Sequence, residues 1–285
     1  MAQIYDIKED LTLADSCLCF ITPNSTVLEI GSATGYATRF MSEKYNCKVT
    51  CIEKIPEMAE MGRKYAQQMI IADLESDNWD LEITGLFDHI IFADVLEHLH
   101  NPDKVLAKAL KFLKHDGCVI TSIPNIGHNA IIMELRNGKF NYTETGLLDN
   151  THIHFMTRQS IYNIFHSNHL HCVAEENKHI RPCDTELGCY YIQNPLMALS
   201  LIRKRDGHVY RFVQKWIKTP APQCSKNKLG DKLSIGKQLF ELLYDIACFI
   251  KRKLNINTPG IITRLVHKPI EKNEKKRYER YESKS

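Results

Sequence analysis

Short apolar runs rich in β-branched residues alternate with stretches of helical spacing through the first 125 residues. STVLEIG (25–31), CKVTCIE (47–53), MIIADL (69–74), FDHIIFADV (87–95) and CVITSIPN (118–125) read as strands. Between them, residues 36–45, 56–68 and 101–114 carry apolar positions three and four apart and predict helices; Val105, Leu106, Ala109, Leu110 and Leu113 share one face of the last. Pro56 opens the second helix, where its missing N–H costs nothing, and His115-Asp116-Gly117 reads as the turn into the fifth strand. Strand–helix alternation with short connections predicts an α/β fold, a doubly wound, mostly parallel sheet with helices on both faces.

Farther along, residues 171–177 and 208–218 are strand-like, the second strongly alternating, and 157–168 predicts a helix capped by Thr157. Residues 126–156 show no clear periodicity, and no internal repeat is visible. After TPAPQ (219–223) the composition changes. Residues 233–255 predict a helix with Lys237, Glu241 and Asp245 on one stripe and a wide apolar face opposite, and the chain ends in a polar segment too hydrophilic to bury. The expected organisation is therefore a domain over 1–220 and a basic helical extension with a mobile tail over 221–285.

Composition narrows the function classes. At 285 residues and 44% hydrophobic, the chain is long and apolar enough for a full core. Its ten cysteines, Cys17, Cys19, Cys47, Cys51, Cys118, Cys172, Cys183, Cys189, Cys224 and Cys248, include no C-x-x-C pair, so reduced thiols are expected rather than zinc ligands or disulfides. The N-terminal segment has no basic region leading into an apolar one, and no run approaches ~18 apolar residues. A cytoplasmic protein is expected. Net charge is +3, but residues 221–285 carry 15 Lys/Arg against 7 Asp/Glu and the first 220 carry 22 against 27: an acidic body with a basic tail.

The sharpest chemical feature is VLEIGSATGY, a strand ending in Gly31-Ser32-Ala33-Thr34-Gly35 and entering a helix. Such a turn lets backbone approach a ligand at the carboxyl edge of a sheet. Glu53, Asp73 and Asp94 then end the next three strands, and a carboxylate at Glu53 can accept hydrogen bonds from ribose hydroxyls. A nicotinamide dinucleotide would want G-x-G-x-x-G, which is absent, and Glu29 would repel its pyrophosphate; a nucleoside bearing a cationic amino acid suits Glu29 better.

This run, with CIEK, ADLE, FDHIIFADVLEHLHNPDKVL and DGCVITSIPN, resembles the class I S-adenosylmethionine-dependent methyltransferases over roughly residues 24–170. The resemblance implies a Rossmann-like, seven-stranded, mostly parallel sheet with the last strand antiparallel. It implies S-adenosylmethionine as cofactor, its methionine part at Glu29, Gly31, Ala33 and Gly35, its ribose at Glu53 and its adenine at Asp73 and the adjoining Leu74, with Asp94 bordering the site. Ala33 stands where many members have glycine, and its added methyl is expected to need no special dihedral.

Residues 122–161 resemble a subgroup associated with bacterial polysaccharide and surface-glycan biosynthesis, through Phe140, Tyr142, Thr145, Gly146, Leu148, Asp149, Thr151, His152, Phe155 and Thr157. Methyl transfer to a hydroxyl needs alignment and a place for the proton. His152 is the expected base, Asp149 its orienting partner, and His98 a second candidate; the alternative is that Asp149, Thr151 and His152 only tie down a loop. Asp94-x-x-Glu97-His98 resembles a run in ubiquinone-biosynthesis O-methyltransferases in which a divalent metal has been implicated; the expectation is that no metal is held, Glu97 and His98 only packing or capping.

The function expected is O-methylation of a sugar hydroxyl in a glycan or its precursor. Two alternatives are a quinone-ring or small-metabolite O-methyltransferase and a non-catalytic membrane-peripheral scaffold. The expected partner is a small-molecule or glycan acceptor, not nucleic acid. The apolar face over 233–254 would be buried by docking on the domain, by dimerisation, or at the inner face of a membrane, which Lys251-Arg252-Lys253 would favour.

Overall fold

The computed structural model describes residues 17–187, 199–202 and 205–218, together with residues 236, 239, 240, 242, 243 and 246 of the C-terminal helix. Eight strands form one sheet: β1 (Thr26–Ile30), β2 (Lys48–Glu53), β3 (Gln68–Ile71), β4 (Phe87–Ala93), β5 (Leu113–Pro124), β6 (His171–Glu175), β7 (Lys178–His179) and β8 (Val209–Ile217). The order is β3-β2-β1-β4-β5-β8-β6, with two-residue β7 also paired to β8. The first five strands run parallel and β8 is antiparallel to both its neighbours. The mostly parallel doubly wound sheet is as the alternation predicts, with the two-residue β7 added to the seven strands expected.

The two-residue period of β1 sorts the core. Leu28 and Ile30 face one layer with Ile52, Ile90, Phe92 and Val119, while Val27 faces the other with Val49, Cys51, Ile91 and Ile120. Helices α3 (Pro102–Ala109) and α5 (Arg158–Ser167) cover the first layer through Val105, Leu106, Ala109, Ile161 and Phe165. Helices α1 (Tyr36–Tyr45) and α2 (Pro56–Gly62) cover the second through Met41 and Ala59. Trp216 of β8 stacks on Phe165 with ring centroids 4.3 Å apart and donates its Nε1–H to Thr121 at 3.2 Å, fastening α5 to the antiparallel corner. Thr157 caps α5, its Oγ1 accepting the Ser160 N–H while Ser160 answers the Thr157 N–H, as expected.

Three local readings change. The helix expected over 56–68 stops at Gly62, where a Cβ would lie 3.1 Å from the Gly35 Cα; the close crossing of the two turns decides the end of α2. The helix expected over 101–114 gives way after Ala109, and β5 starts at Leu113 rather than 118. Leu113 pairs with Phe87 before a register shift carries the His-Asp-Gly segment past the partner strand, so it is an irregularity within the strand instead of a turn before it. Residues Asn129–Arg136 form a helix, α4, in the region without visible periodicity; the His128 Nδ1 caps it at the Ala130 N–H.

The seven described cysteines are free thiols; Cys189, Cys224 and Cys248 lie outside the described residues, as does most of 221–285. Of the C-terminal helix, Leu242 is buried with Ile246 beside it against Met133, Leu201 and Ile202, while Leu239, Phe240 and Leu243 are exposed. No helix among the described residues is long and apolar enough to cross a membrane.

Candidate active site

The carboxyl ends of β1, β2 and β4 converge on the glycine turn. Gly31 takes φ 71° with Val95 packed over it so closely that a Cβ would come within 2.7 Å of a Val95 methyl. Gly35 takes φ 77°, and a Cβ there would stand 2.5 Å from the Gly62 Cα. Both positions therefore need glycine for conformation and for space. Ala33 departs from expectation: its φ is 46°, in the left-handed region, so the residue does carry a special dihedral. What holds it there is Glu53, whose Oε2 accepts the Ala33 N–H at 2.8 Å while Oε1 accepts the Ile55 N–H at 2.9 Å.

The alternation along β1 puts Glu29 on the same face as Val27, toward α1. There it is buried and accepts the Thr38 hydroxyl at 2.6 Å and the Cys51 thiol at 3.7 Å. Burial raises its carboxyl to about 7, against the lowering effect of Thr38 and Cys51. Glu29 thus braces the turn from beneath. Asp73 lies just past β3, half-exposed, paired to Lys54 at 2.8 Å and accepting the Glu75 N–H at 3.0 Å, which together hold its carboxyl below the usual range. Leu74 is partly buried against the first core layer. Glu53 uses one acceptance per oxygen on backbone, and a carboxylate offers about four. The open glycine backbone with carboxylates at two neighbouring strand ends therefore fits S-adenosylmethionine: Gly31, Ala33 and Gly35 would receive the amino-acid part and Glu53 the ribose.

Asp94 follows β4 at φ 53°, with Oδ1 accepting from Ser122 at 3.0 Å and Oδ2 paired with Arg211 at 3.2 Å. Its carboxylate is engaged by its own fold. Immediately beyond, the 3-10 turn Leu96–His98 buries Glu97 to 1% exposure, and neither of its carboxylate oxygens has a hydrogen-bond partner. Burial, then the Asp94 charge, pushes that carboxyl well above its usual value.

The segment after α4 returns to this point. The Glu97 carbonyl accepts the Ile153 and His154 N–H groups at 2.8 and 3.0 Å, which lays the 149–154 loop against the turn. The rings of His98 and His152 then sit 4.8 Å apart, edge to face. His98 Nδ1 lies 3.2 Å from both the carbonyl and the hydroxyl of Thr151. Burial, and next the neighbouring His98, lowers the His152 pKa, opposed by Asp149, Asp94 and a bond to the Leu147 carbonyl. His152 is therefore neutral near pH 7.

Asp149 does not orient His152 through its side chain. Its buried Oδ1 accepts the Thr151 N–H at 2.8 Å and hydroxyl at 2.6 Å. It fixes Thr151, which in turn faces His98: a loop-fastening role, as in the alternative reading. His154 turns the other way, its Nε2 3.3 Å from the His100 carbonyl. The residue sequence reasoning undervalued is Glu97. The only local signal was its place between Leu96 and Leu99 after a buried strand, and its burial depends on the loop that covers it. One oxygen of Glu97 and one nitrogen from each of His98 and His152 lie within 4.8 Å of one another.

Beside His152 stands an aromatic wall. His152 and Phe155 have ring centroids 6.1 Å apart, Phe155 and Phe140 5.6 Å, and Phe140 and Tyr142 5.5 Å. Phe140 and Tyr142 are 38% and 58% exposed. The loop that bears them is fastened by Thr143–Leu148 and Asn150–Thr143 backbone bonds and by Glu186, whose Oε1 accepts the Leu147 N–H at 2.5 Å.

Comparison with known proteins agrees with this fold. Residues 11–175 match a methyltransferase-domain family. Malonyl-[acyl-carrier protein] O-methyltransferase of Anoxybacillus flavithermus is 28% identical over 103 residues, 36% of this chain and 40% of that protein, so the chain spans about two fifths of that relative. An S-adenosylmethionine-dependent methyltransferase of Thermotoga maritima superposes with a TM-score of 0.51 at 16% identity, over 73% of this chain and 88% of that one. The [4+2]-cyclase SpnF superposes at 0.50 and 11%, over 76% and 86%. The structural likenesses speak for the fold, which also carries cyclase chemistry. The family match covers more than half the sequence, and on it this chain belongs to the methyltransferase-domain family.

Proposed function

We propose that the chain methylates a sugar hydroxyl of a glycan or of its nucleotide- or lipid-linked precursor. The observation that carries this reading is the wall of Phe140, Tyr142 and Phe155 running up to His152. An aromatic face left in solvent on a fastened loop suits a ring that offers C–H bonds to it. Exposed Asn141, Glu144 and Asn150 on the same loop suit the hydroxyls at that ring's edge.

Bound S-adenosylmethionine supplies an electrophilic methyl group on a sulfonium. The chain's own residues do the rest. The glycine turn and Glu53 fix the cofactor, the aromatic wall presents the acceptor, and neutral His152 has a lone pair to take the hydroxyl's proton as the new C–O bond forms. A carboxylate acceptor, suggested by the name of the curated relative, has no proton to lose and would leave this imidazole idle. A quinol or other small aromatic acceptor would stack on the same wall without using its polar edge.

The test is label transfer from methyl-labelled S-adenosylmethionine to a panel of methyl hexosides and nucleotide hexoses, with catechol and malonyl-pantetheine beside them. Transfer to a glycoside hydroxyl is expected, and Tyr142→Ala should raise its KM about 10-fold, equivalent to ~1.4 kcal/mol, with cofactor affinity kept. Transfer only to catechol or to the malonyl carboxylate would overturn the sugar reading.

A further inference from the structure

We infer that Glu97, His98 and His152 form a binding site for a first-row divalent transition cation that straps the acceptor loop to the end of β4. Three observations support it independently. A carboxylate buried to 1% exposure with both oxygens unpartnered is costly, and a cation is the partner that would remove the cost. The His98 imidazole is also held on its Nδ1 side by the Thr151 carbonyl at 3.2 Å. A carbonyl that accepts one ring N–H fixes the tautomer and aims the other nitrogen's lone pair, the outer-shell arrangement of a ligating histidine. One ligand atom from each of the three side chains, finally, already lies within 4.8 Å of the other two. Bonds of about 2.1 Å need donors about 3.4 Å apart, so side-chain rotation of the order of 1 Å closes the site.

Asp94 cannot be the third ligand in this geometry, because Ser122 and Arg211 hold it. The third donor comes from the 149–154 loop instead. Two imidazoles and one carboxylate on one side of a site select Mn²⁺, Fe²⁺ or Zn²⁺ over Mg²⁺ or Ca²⁺ and leave positions open toward the pocket. A cation there would acidify a coordinated hydroxyl. An imidazole whose lone pair is coordinated is no longer a base, so His152 takes the acceptor's proton only in the metal-free protein; in the loaded protein it serves as ligand and the acidified hydroxyl gives its proton to solvent. The inference concerns the same pocket as the sugar reading but does not depend on what the acceptor is.

The experiment titrates Mn²⁺ into the full chain by calorimetry, with Mg²⁺ as the contrast, and records pulsed electron spin resonance of the Mn²⁺-loaded protein. One site of micromolar or tighter affinity is expected, with nitrogen couplings from two imidazoles. Glu97→Gln and His152→Asn should each weaken Mn²⁺ at least 100-fold, and Thr151→Val, which loosens His98, about 10-fold. S-adenosylhomocysteine titration checks that each variant is folded, and the spectrum of the unsubstituted chain needs no variant. Absent or millimolar binding, Mg²⁺ binding as tight as Mn²⁺, or a spectrum without nitrogen couplings would overturn the site. Mn²⁺ bound without glycoside methylation would leave the site standing and remove only the sugar reading; glycoside methylation without Mn²⁺ binding would do the reverse.

Discussion

The cofactor side and the acceptor side of the pocket lie a few residues apart at one sheet edge and are built on opposite principles. On the cofactor side every carboxylate is engaged: Glu29 by Thr38, Glu53 by the Ala33 and Ile55 amides, Asp73 by Lys54. On the acceptor side Glu97 has no partner and His152 is kept neutral by burial. Preorganised backbone is what a fixed, invariant ligand wants, since the turn need not move to receive it. Unsatisfied buried groups are what a site tolerates where a ligand completes it. The contrast is between a turn whose carboxylates the fold itself satisfies and a turn whose buried carboxylate it leaves without a hydrogen bond.

The harshest way to break the comparison is to spoil the rigid half. Gly35→Ala adds a methyl 2.5 Å from the Gly62 Cα at a φ of 77°. Backbone cannot yield as a side chain would, so α1 must shift off α2. A loss of about 3 kcal/mol in denaturant unfolding is expected, from overpacking plus left-handed strain, with cofactor binding undetectable by calorimetry. An unchanged midpoint would mean the two turns are not in contact.

A medium effect tests the brace beneath the turn. The Glu29 carboxyl is raised by burial to about 7, above its ordinary value of 4.5. A group with a raised folded pKa favours the fold fully below its unfolded value and loses that advantage as pH rises through the folded one. The neutral amide of Glu29→Gln removes that loss and still accepts from Thr38. Melting at pH 4 should therefore be little changed by the substitution, and by pH 8 the variant should be about 1–3 kcal/mol more stable than the parent. A difference that does not vary with pH would mean Glu29 titrates alike in the folded and unfolded chains.

The rigid half was also the legible half. Alternation of strands and helices, the glycine turn and the acids at strand ends are local features, fixed by period and by φ, and residues 25–95 carry them openly. Where local signals met tertiary contact they misled. Gly62 ends α2 because Gly35 lies against it, and Ala33 adopts a positive φ because Glu53, twenty residues away, holds its amide. The acceptor half could be named but not assembled. His98, His152 and Asp149 were recognisable by type, yet which carboxylate faces which histidine depends on a loop laid down by the Glu97 carbonyl, a contact 56 residues long that no periodicity encodes. The sequence pattern joined Asp149 to His152; the chain folds so that Asp149 serves Thr151 and Glu97 stands beside the histidines.

The smallest effects sharpen the contrast most, because they should differ in sign. Glu53→Gln keeps shape but turns one acceptor into a donor facing the Ala33 or Ile55 amide, so a turn that was satisfied loses a charge-assisted bond; a cost of about 1–2 kcal/mol is expected in thermal unfolding. Glu97→Met replaces an unpartnered carboxyl with an apolar chain of similar length among the buried neighbours Leu96 and Leu99. With no cation present the fold should gain about 1 kcal/mol, since removing an orphaned polar group costs no bond. The same variant should lose its response to Mn²⁺, whereas the parent should rise in melting temperature as Mn²⁺ is added. Equal losses from both substitutions would show that Glu97 is as well satisfied as Glu53, and the pocket would then have one character throughout instead of two.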